Sequence, residues 1–495
     1  MLSPDSLYKY IAKYGMGKST SAGDEIAFES YLGECRRALN DRTPKEYYQW
    51  EDIKQINFTE NQIIQFVNTN PKPVEGYVSD GIVDVVRLID ELKKIIMDYG
   101  ILEDALNDED IQEIQINDAK SIWIVRKGRN ELYVDKKGNP YQFLSDSELQ
   151  ATIYRMCYNP NGTSKRMTSE DPLMNTRAAR SGFRISGVNN TAITPDKSPY
   201  DFPVTSITIR KYSSNRFVFD DYVRFNSLRP RMAKFLKCTA VSDTRMFFIG
   251  PTSSGKTTLL WTNLYEVPEE TRTILIQNPT EILLYDRDIN GTNRRNVLHW
   301  EADSIPESKN TETKPTMSNF TAHALRNTPD IIVPGEARLP NEFYEIYRAI
   351  LTGHRVLGTF HSDTGRGALE RFASEVAQAT GGNKTEYLRS LCGFIDLIVS
   401  QYKLVDGTRK VMEISVPTGK VLSDGSPEIV KMFEFTLSRK NKKDEKTGKI
   451  IEVCGEFRQV GVLDVNGELA QKLFKAGYDY EELIEFFDEK YIGVV

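Results

Sequence analysis

The sequence predicts an α/β fold: a parallel sheet with helices on its faces, preceded by a smaller α+β domain and a helical N-terminal extension. Three observations lead there. Phe247, Phe248 and Ile249 form an apolar run that meets a glycine-bounded loop, GPTSSGKT, after which Thr258, Leu259 and Leu260 open a helical pattern. Downstream, the short apolar runs TILIQ, DIIVP and VLGTF alternate with helical segments, the pattern of parallel strands joined by crossovers. Upstream, IQEIQIN and SIWIVRK alternate apolar and polar residues about a turn, as paired half-buried strands do.

At 495 residues the chain exceeds one ordinary core, so two or three domains are expected. Hydrophobic content of 39% and charged content of 27% suit a globular protein. A net charge of -6 and a pI of about 5.6 supply no global basic field, so direct nucleic-acid binding is not expected. No run approaches the ~18 apolar residues of a membrane span, and the start MLSPDSLYKY lacks a signal-peptide pattern. The reading is a cytoplasmic chain without an anchor of its own. Cys35, Cys157, Cys238, Cys392 and Cys454 are far apart and form no CxxC pair, so reduced thiols are expected rather than a zinc or disulfide framework.

Residues 1–75 read as a polar helical extension, with helices near 6–13, 24–39 and 59–67 and a stop at Pro71 and Pro73. Residues 76–212 read as the α+β domain. Ile82, Val85, Val86, Ile89, Leu92, Ile95 and Ile96 lie on one helical face, and Gly100 stops that helix. The two alternating strands follow, then a helix over 146–156, then strands in RISGVNN and TSITIRKY. Arg177, Arg180, Arg184, Arg210 and Lys211 line this domain; a solvated face and a contact to nucleotide phosphate both stay open. Residues 213–236 read as a linker, with a helix in RPRMAKFLKCTAV leading to the first strand of the last domain, 237–495. Near its end, SRKNKKDEKTGK reads as the solvated tip of a hairpin, in preference to a basic anchor for lipid or nucleic acid, because two acids interrupt it.

The loop carries the chemistry. Gly250 and Gly255 permit turns that a Cβ would strain, so backbone N–H groups of Thr252, Ser253, Ser254 and their neighbours can point at phosphate oxygens. The helix N-terminus that follows, through Thr257 and Thr258, favours anions. Lys256 can reach β- and γ-phosphates, and the Thr257 hydroxyl can ligate Mg²⁺, which makes ATP and Mg²⁺ the expected cofactors. Ile331 to Val333 end in Pro334-Gly335-Glu336, placing Glu336 at a strand's carboxyl end, where ligands sit in open α/β sheets. Glu336 is therefore assigned to Mg²⁺ or to polarising the attacking water. Glu281, beyond the strand TILIQ, is a second candidate base, or simply the acid of a helix start. His354 and His361 flank VLGTF and are both read as reaching the γ-phosphate region. His299 and His323 read as surface or core residues.

These segments, in this order, resemble the secretion-motor ATPase superfamily of type II and type IV secretion, conjugation and type IV pilus machines. GPTSSGKTT resembles its Walker A box, TILIQNPTE its aspartate box, TPDIIVPGEAR its Walker B box and TGHRVLGTFHSD its histidine box. FVFDDYVRFNSLRPRMAKFL and SITIRKY are similar to the linker and N-terminal domain of the tight-adherence pilus and conjugation branch. Downstream, LCGFIDLIVSQYKLVDGTRKVMEI resembles the family's closing helix and hairpin, so the resemblance spans roughly residues 82–416, and the last domain is expected to end in helices and a hairpin. It implies a homohexameric motor with a RecA-like ATPase domain, driving a pilus, secretion or conjugation machine through an inner-membrane platform protein. It also implies nucleotide contacts from Arg177, Arg184 and Arg210, and a family arginine at Arg326. Gln277-Asn278 stand where the family has Glu-Asp, and amides cannot accept a proton at neutral pH. That leaves a weakly hydrolysing, nucleotide-binding scaffold as an alternative to the motor, and a DNA-dependent ATPase as a third reading. Pro334 replaces an apolar residue, and Ser253 a P-loop glycine.

Overall fold

The computed structural model describes residues 25–495 apart from 43, 45–51, 80–81, 97–98, 136, 144, 158–166, 168–170, 179–180, 190–204, 212–215, 279, 287–290 and 303–315. The helix expected over 6–13 lies outside these residues. The chain divides into two compact units, Met1–Tyr212 and Ser213–Val495.

The first unit opens with α1 (Phe28–Arg42), α2 (Asp52–Thr69) and α3 (Val85–Ile96), packed around Tyr31, Cys35, Ile63, Val67, Leu88 and Leu92. Ile82 is not in α3. It pairs with Ser79 in a short hairpin and is 58% exposed. The helix starts later because the Asp84 carboxylate accepts from Arg87 N at 3.0 Å, a cap that sets its first turn. A separate core lies under a sheet of β1 (Ile111–Asp118), β2 (Ser121–Arg126), β3 (Arg129–Leu132), β4 (Leu173–Arg177), β5 (Arg184–Asn189) and β6 (Thr205–Arg210). The order is β3-β2-β1-β6-β5-β4, antiparallel throughout. Leu149, Ile153 and Met156 of α4 (Asp146–Cys157) share that core with Ile114, Ile185 and Ile209. β3 and β4 have no clear signal in the sequence: β3 is an exposed edge, and LMNTR lacks clean alternation.

The second unit is built on ten strands: β7 (Met246–Ile249), β8 (Thr273–Gln277), β9 (Val297–Glu301), β10 (Ile331–Pro334), β11 (Arg355–Phe360), β12 (Leu397–Lys403), β13 (Arg409–Val421), β14 (Pro427–Leu437), β15 (Gly455–Gln459) and β16 (Gly493–Val494). Their order is β9-β8-β10-β11-β7-β12-β13-β14-β15-β16. The expected parallel sheet is thus only its first part. Strands β9 to β12 run parallel, and β13 to β16 extend the sheet by antiparallel hairpin pairing. Helices α5 (Phe219–Arg224) and α6 (Pro230–Val241) precede β7; α7 (Lys256–Glu266), α8 (Met317–Ala324), α9 (Pro340–Leu351), α10 (Gly365–Thr380) and α11 (Lys384–Phe394) lie in the connections between parallel strands, and α12 (Glu468–Lys475) and α13 (Tyr480–Phe487) close the chain.

The segment read as a linker is built into this unit. Phe219, Tyr222, Met232, Phe235 and Leu236 are buried in its core, and Phe235 packs on Phe486 of α13 with ring centroids 5.0 Å apart. Lys472 of α12 grips the buried Asp396 through both carboxylate oxygens at 2.7 Å.

Pro334 ends β10 at a prepared position. The β10–β11 ladder covers only Ile331 and Ile332, because a proline has no N–H to donate further along. Gly358 of β11 leaves the room: a Cβ there would lie 3.0 Å from Pro334 O and 3.2 Å from its Cγ. Beyond the proline, Thr359 takes over, its Oγ1 donating to Gly335 O at 2.7 Å and its carbonyl accepting from Ala337 N. Among the described residues no helix is long and apolar enough to cross a membrane.

Candidate active site

Register brings the site together. Ile249 pairs with Phe360 on one side and Ser400 on the other, and Ile276 pairs with Pro334, so the carboxyl ends of β7, β8, β10, β11 and β12 share one edge of the sheet. The loop leaving β7 at that edge is tightly held. Gly250 has φ +143°, and a Cβ on it would fall 2.0 Å from Gln401 O. Gly255, at φ +95°, caps α7, and a Cβ would meet Arg409 Cδ at 3.0 Å. Ser253, which replaces a glycine, also sits at a positive φ, +62°, a conformation that costs a side-chain-bearing residue about 1–2 kcal/mol. Ser254 is fully buried with no hydrogen-bond partner for its Oγ. Thr252 is exposed; Thr257 and Thr258 are half-buried in the first turn of α7.

Lys256 is 6% exposed, and its Nζ donates to Pro251 O at 3.1 Å. It also lies 3.4 Å from His361 Nδ1 and 4.0 Å from Glu336 Oε1. His361 bridges loop and acid, with Nδ1 3.1 Å from Gly250 O and Nε2 2.9 Å from Glu336 Oε1. Nε2 faces the carboxylate, while Nδ1 lies between the Gly250 carbonyl and the Lys256 ammonium. Arg371 donates to the His361 carbonyl. On its other side Glu336 accepts from Arg338, through Nε at 3.0 Å and through Nη2. Burial pushes the Glu336 carboxyl up, but the Arg338 hydrogen bond and the charges of Arg338, Lys256 and His361 outweigh it and hold the group below the usual carboxylate range. A lysine, an imidazole and an ionised carboxylate thus converge on the glycine-bounded loop 250–257. That set can bind a polyphosphate and orient a water.

His354 does not join them. It precedes Arg355 at the amino end of β11, and six residues of strand, about 20 Å, separate it from His361. There it meets Thr352 Oγ1 at 3.0 Å and lines a groove with Asp243, Thr271 and Asp330. A single strand between two histidines places them at opposite edges. His299 packs against Tyr285 with ring centroids 4.4 Å apart and the rings tilted by 35°, and burial pushes its pKa down to about 4.

Gln277 is 2% exposed and closes the loop after β8: Oε1 accepts from Glu281 N at 2.8 Å and Ile282 N at 2.7 Å, and Nε2 donates to Ile282 O at 3.0 Å. Residues 281–286 are not helical, so Glu281 leaves the same sheet edge on a loop. Arg177, Arg184 and Arg210 belong to the first unit, where they stand opposite one another across β4, β5 and β6. Sequence reasoning missed Arg338, although it lies in the quoted PGEAR, and Arg409, whose Nε donates to Ser253 O at 3.3 Å. Only the β12–β13 pairing brings Arg409 to the loop.

Comparison with known proteins gives a consistent picture. A sequence model described as type II/IV secretion system protein matches residues 96–428. The probable conjugal transfer protein TrbB of Sinorhizobium fredii is 24% identical over 328 residues, covering 65% of this chain and 88% of that protein. The type II secretion system ATPase E of Vibrio cholerae is 32% identical over 123 residues, 25% of this chain and 21% of its own length. Among solved structures, the Legionella pneumophila ATPase DotB is 20% identical with a TM-score of 0.43, covering 62% of this chain and 76% of that one. The pilus retraction motor PilT with bound ADP is 18% identical with a TM-score of 0.44, covering 67% and 81%. With two thirds of its length matched by one family, the chain belongs to the type II/IV secretion system protein family.

Proposed function

We propose that this chain is an ATP-hydrolysing motor subunit. It works as a homohexameric ring at the cytoplasmic face of a membrane and drives a pilus-like filament or a secretion or conjugation apparatus through an inner-membrane platform protein. The convergence of Lys256, His361 and Glu336 on the loop 250–257 carries the reading. The fit to nucleotide rests on that loop, which packs so closely on Gln401 and Arg409 that a Cβ at Gly250 or Gly255 would collide with them. Loop N–H groups and Lys256 bind the β- and γ-phosphates, and the amino end of α7 adds favourable potential. Thr257 and Glu336 would hold Mg²⁺, which neutralises charge on the transferring phosphoryl group. Glu336, kept ionised by its neighbours, orients and polarises the attacking water, and His361 senses the γ-phosphate beside Gly250. The family resemblance adds Arg177, Arg184 and Arg210 as candidate cations for the phosphates. The scaffold reading draws on Gln277 and Asn278; Gln277 is accounted for by the loop it closes, which removes one of its grounds.

Steady-state phosphate release with Mg-ATP tests this. Lys256→Ala and Glu336→Gln should each lower turnover by about 10²-fold or more. Normal turnover in Lys256→Ala would overturn the motor.

A further inference from the structure

We infer that the hairpin over residues 438–453 is a membrane-binding element that docks on an anionic lipid surface. It lies outside the family-matched residues 96–428 and rises from the far part of the sheet, with short strands Lys442–Lys443 and Ile450–Glu452. Arg439, Lys440, Lys442, Lys443, Lys446 and Lys449 stand against Asp444, Glu445 and Glu452 over 438–453, a local net charge of +3 on a chain of -6. All six cations are exposed. Lys442 pairs with Glu452 at 2.5 Å.

The tip is presented on a fixed base. Asp406, 5% exposed, accepts from Val453 N at 2.7 Å; Ser438 N donates to Cys454 O at 2.9 Å, and Asn441 accepts from Cys454 N at 3.1 Å. Beside that base a groove of about 270 Å³ is lined by Leu404, Val405, Leu437 and Val453. Val405 is 78% exposed, Leu437 53% and, on the returning strand, Ile451 49%. Cations around bare aliphatic side chains are the composition of an interfacial element, whose charges meet headgroups while its apolar side chains enter the acyl boundary.

Two other anionic partners fit less well. Residues 438–454 contain no aromatic side chain, so there is no platform on which bases could stack. Five of the six cations are lysines, compact point charges suited to a diffuse surface, whereas paired recognition of protein carboxylates favours the arginine fork.

The test is co-sedimentation of the full chain with phosphatidylglycerol-containing vesicles and with vesicles of phosphatidylcholine alone. Binding should require the anionic lipid and weaken as salt is added. Lys443→Ala, Lys446→Ala and Lys449→Ala combined should weaken it about a hundredfold, at about fivefold per charge. Ile451→Ser should weaken binding while leaving its salt dependence unchanged. Thermal melts of all variants should match the parent, since these side chains are exposed. Absence of binding to anionic vesicles, or binding that the variants leave intact, would overturn the inference. So would equally tight binding to polyglutamate or single-stranded DNA.

Discussion

Gln277 closes its loop with three hydrogen bonds from one amide, two accepted and one donated. Gln277→Glu keeps the shape and both acceptor bonds but turns the donor into a second carboxylate oxygen, facing Ile282 O across the 3.0 Å now spanned by Nε2–H. A buried carbonyl left unpaired costs about 1–3 kcal/mol, and here a like partial charge is added to the loss. The escape is protonation, which restores a donor, so the deficit should shrink as pH falls. At pH 8 about 2 kcal/mol is expected, a fall in Tm of roughly 4–6 °C for a unit of this size. The assay is a thermal melt at pH 8 and pH 5, paired with phosphate release. Gln277→Leu is the control: it strands both Glu281 N and Ile282 N and should cost more at both pH values. An unchanged Tm with raised turnover in Gln277→Glu would refute the reasoning. It would show that the loop does not depend on the amide and that a carboxylate there serves catalysis.

Gly250→Ala places a methyl 2.0 Å from Gln401 O and should abolish nucleotide binding while leaving a folded protein, measured by fluorescent-nucleotide titration and circular dichroism. Lys472→Met strands Asp396, whose carboxyl burial already raises against the pull of Lys472; breaking such a pair costs about 3–5 kcal/mol. A raised acid means that the folded state binds the extra proton, so stability falls as pH rises through the raised value. The variant's deficit should therefore be larger at pH 8 than at pH 5, and a deficit independent of pH would count against an ionised Asp396. Ser253→Gly removes the left-handed strain but adds freedom to the unfolded chain, so Tm should shift by no more than about 2 °C.

Much of the catalytic half was legible because its signals are local. A fully buried strand reads as an apolar run, and a glycine-bounded loop before a helix reads as a phosphate cradle, so β7, β8, β10 and β11 and the residues at their carboxyl ends are visible in the chain. What depends on pairing was not. His354 and His361 look equivalent in sequence, since both flank VLGTF; strand direction alone separates them. Arg409 reaches the loop from a strand some 150 positions later, and no periodicity announces such a contact. Of the antiparallel extension only the first hairpin came with the family resemblance; β14 to β16 stayed hidden, because their residues alternate only in part. The 213–236 segment read as a linker between domains and resembles the family's linker, yet Phe235 finds its partner, Phe486, at the far end of the chain.

Pro334 and Gly358 have a consequence for how this sequence can change. The proline withdraws a ladder donor, and the glycine withdraws the side chain that would collide with it. The nearest atom to a Cβ at 358 is the carbonyl oxygen of 334, which every residue at 334 would carry, so the two positions are not equally free to change. An apolar residue at 334 would give a donor back to the ladder, whereas any side chain at 358 would push on the segment that aims Glu336, whatever stood at 334.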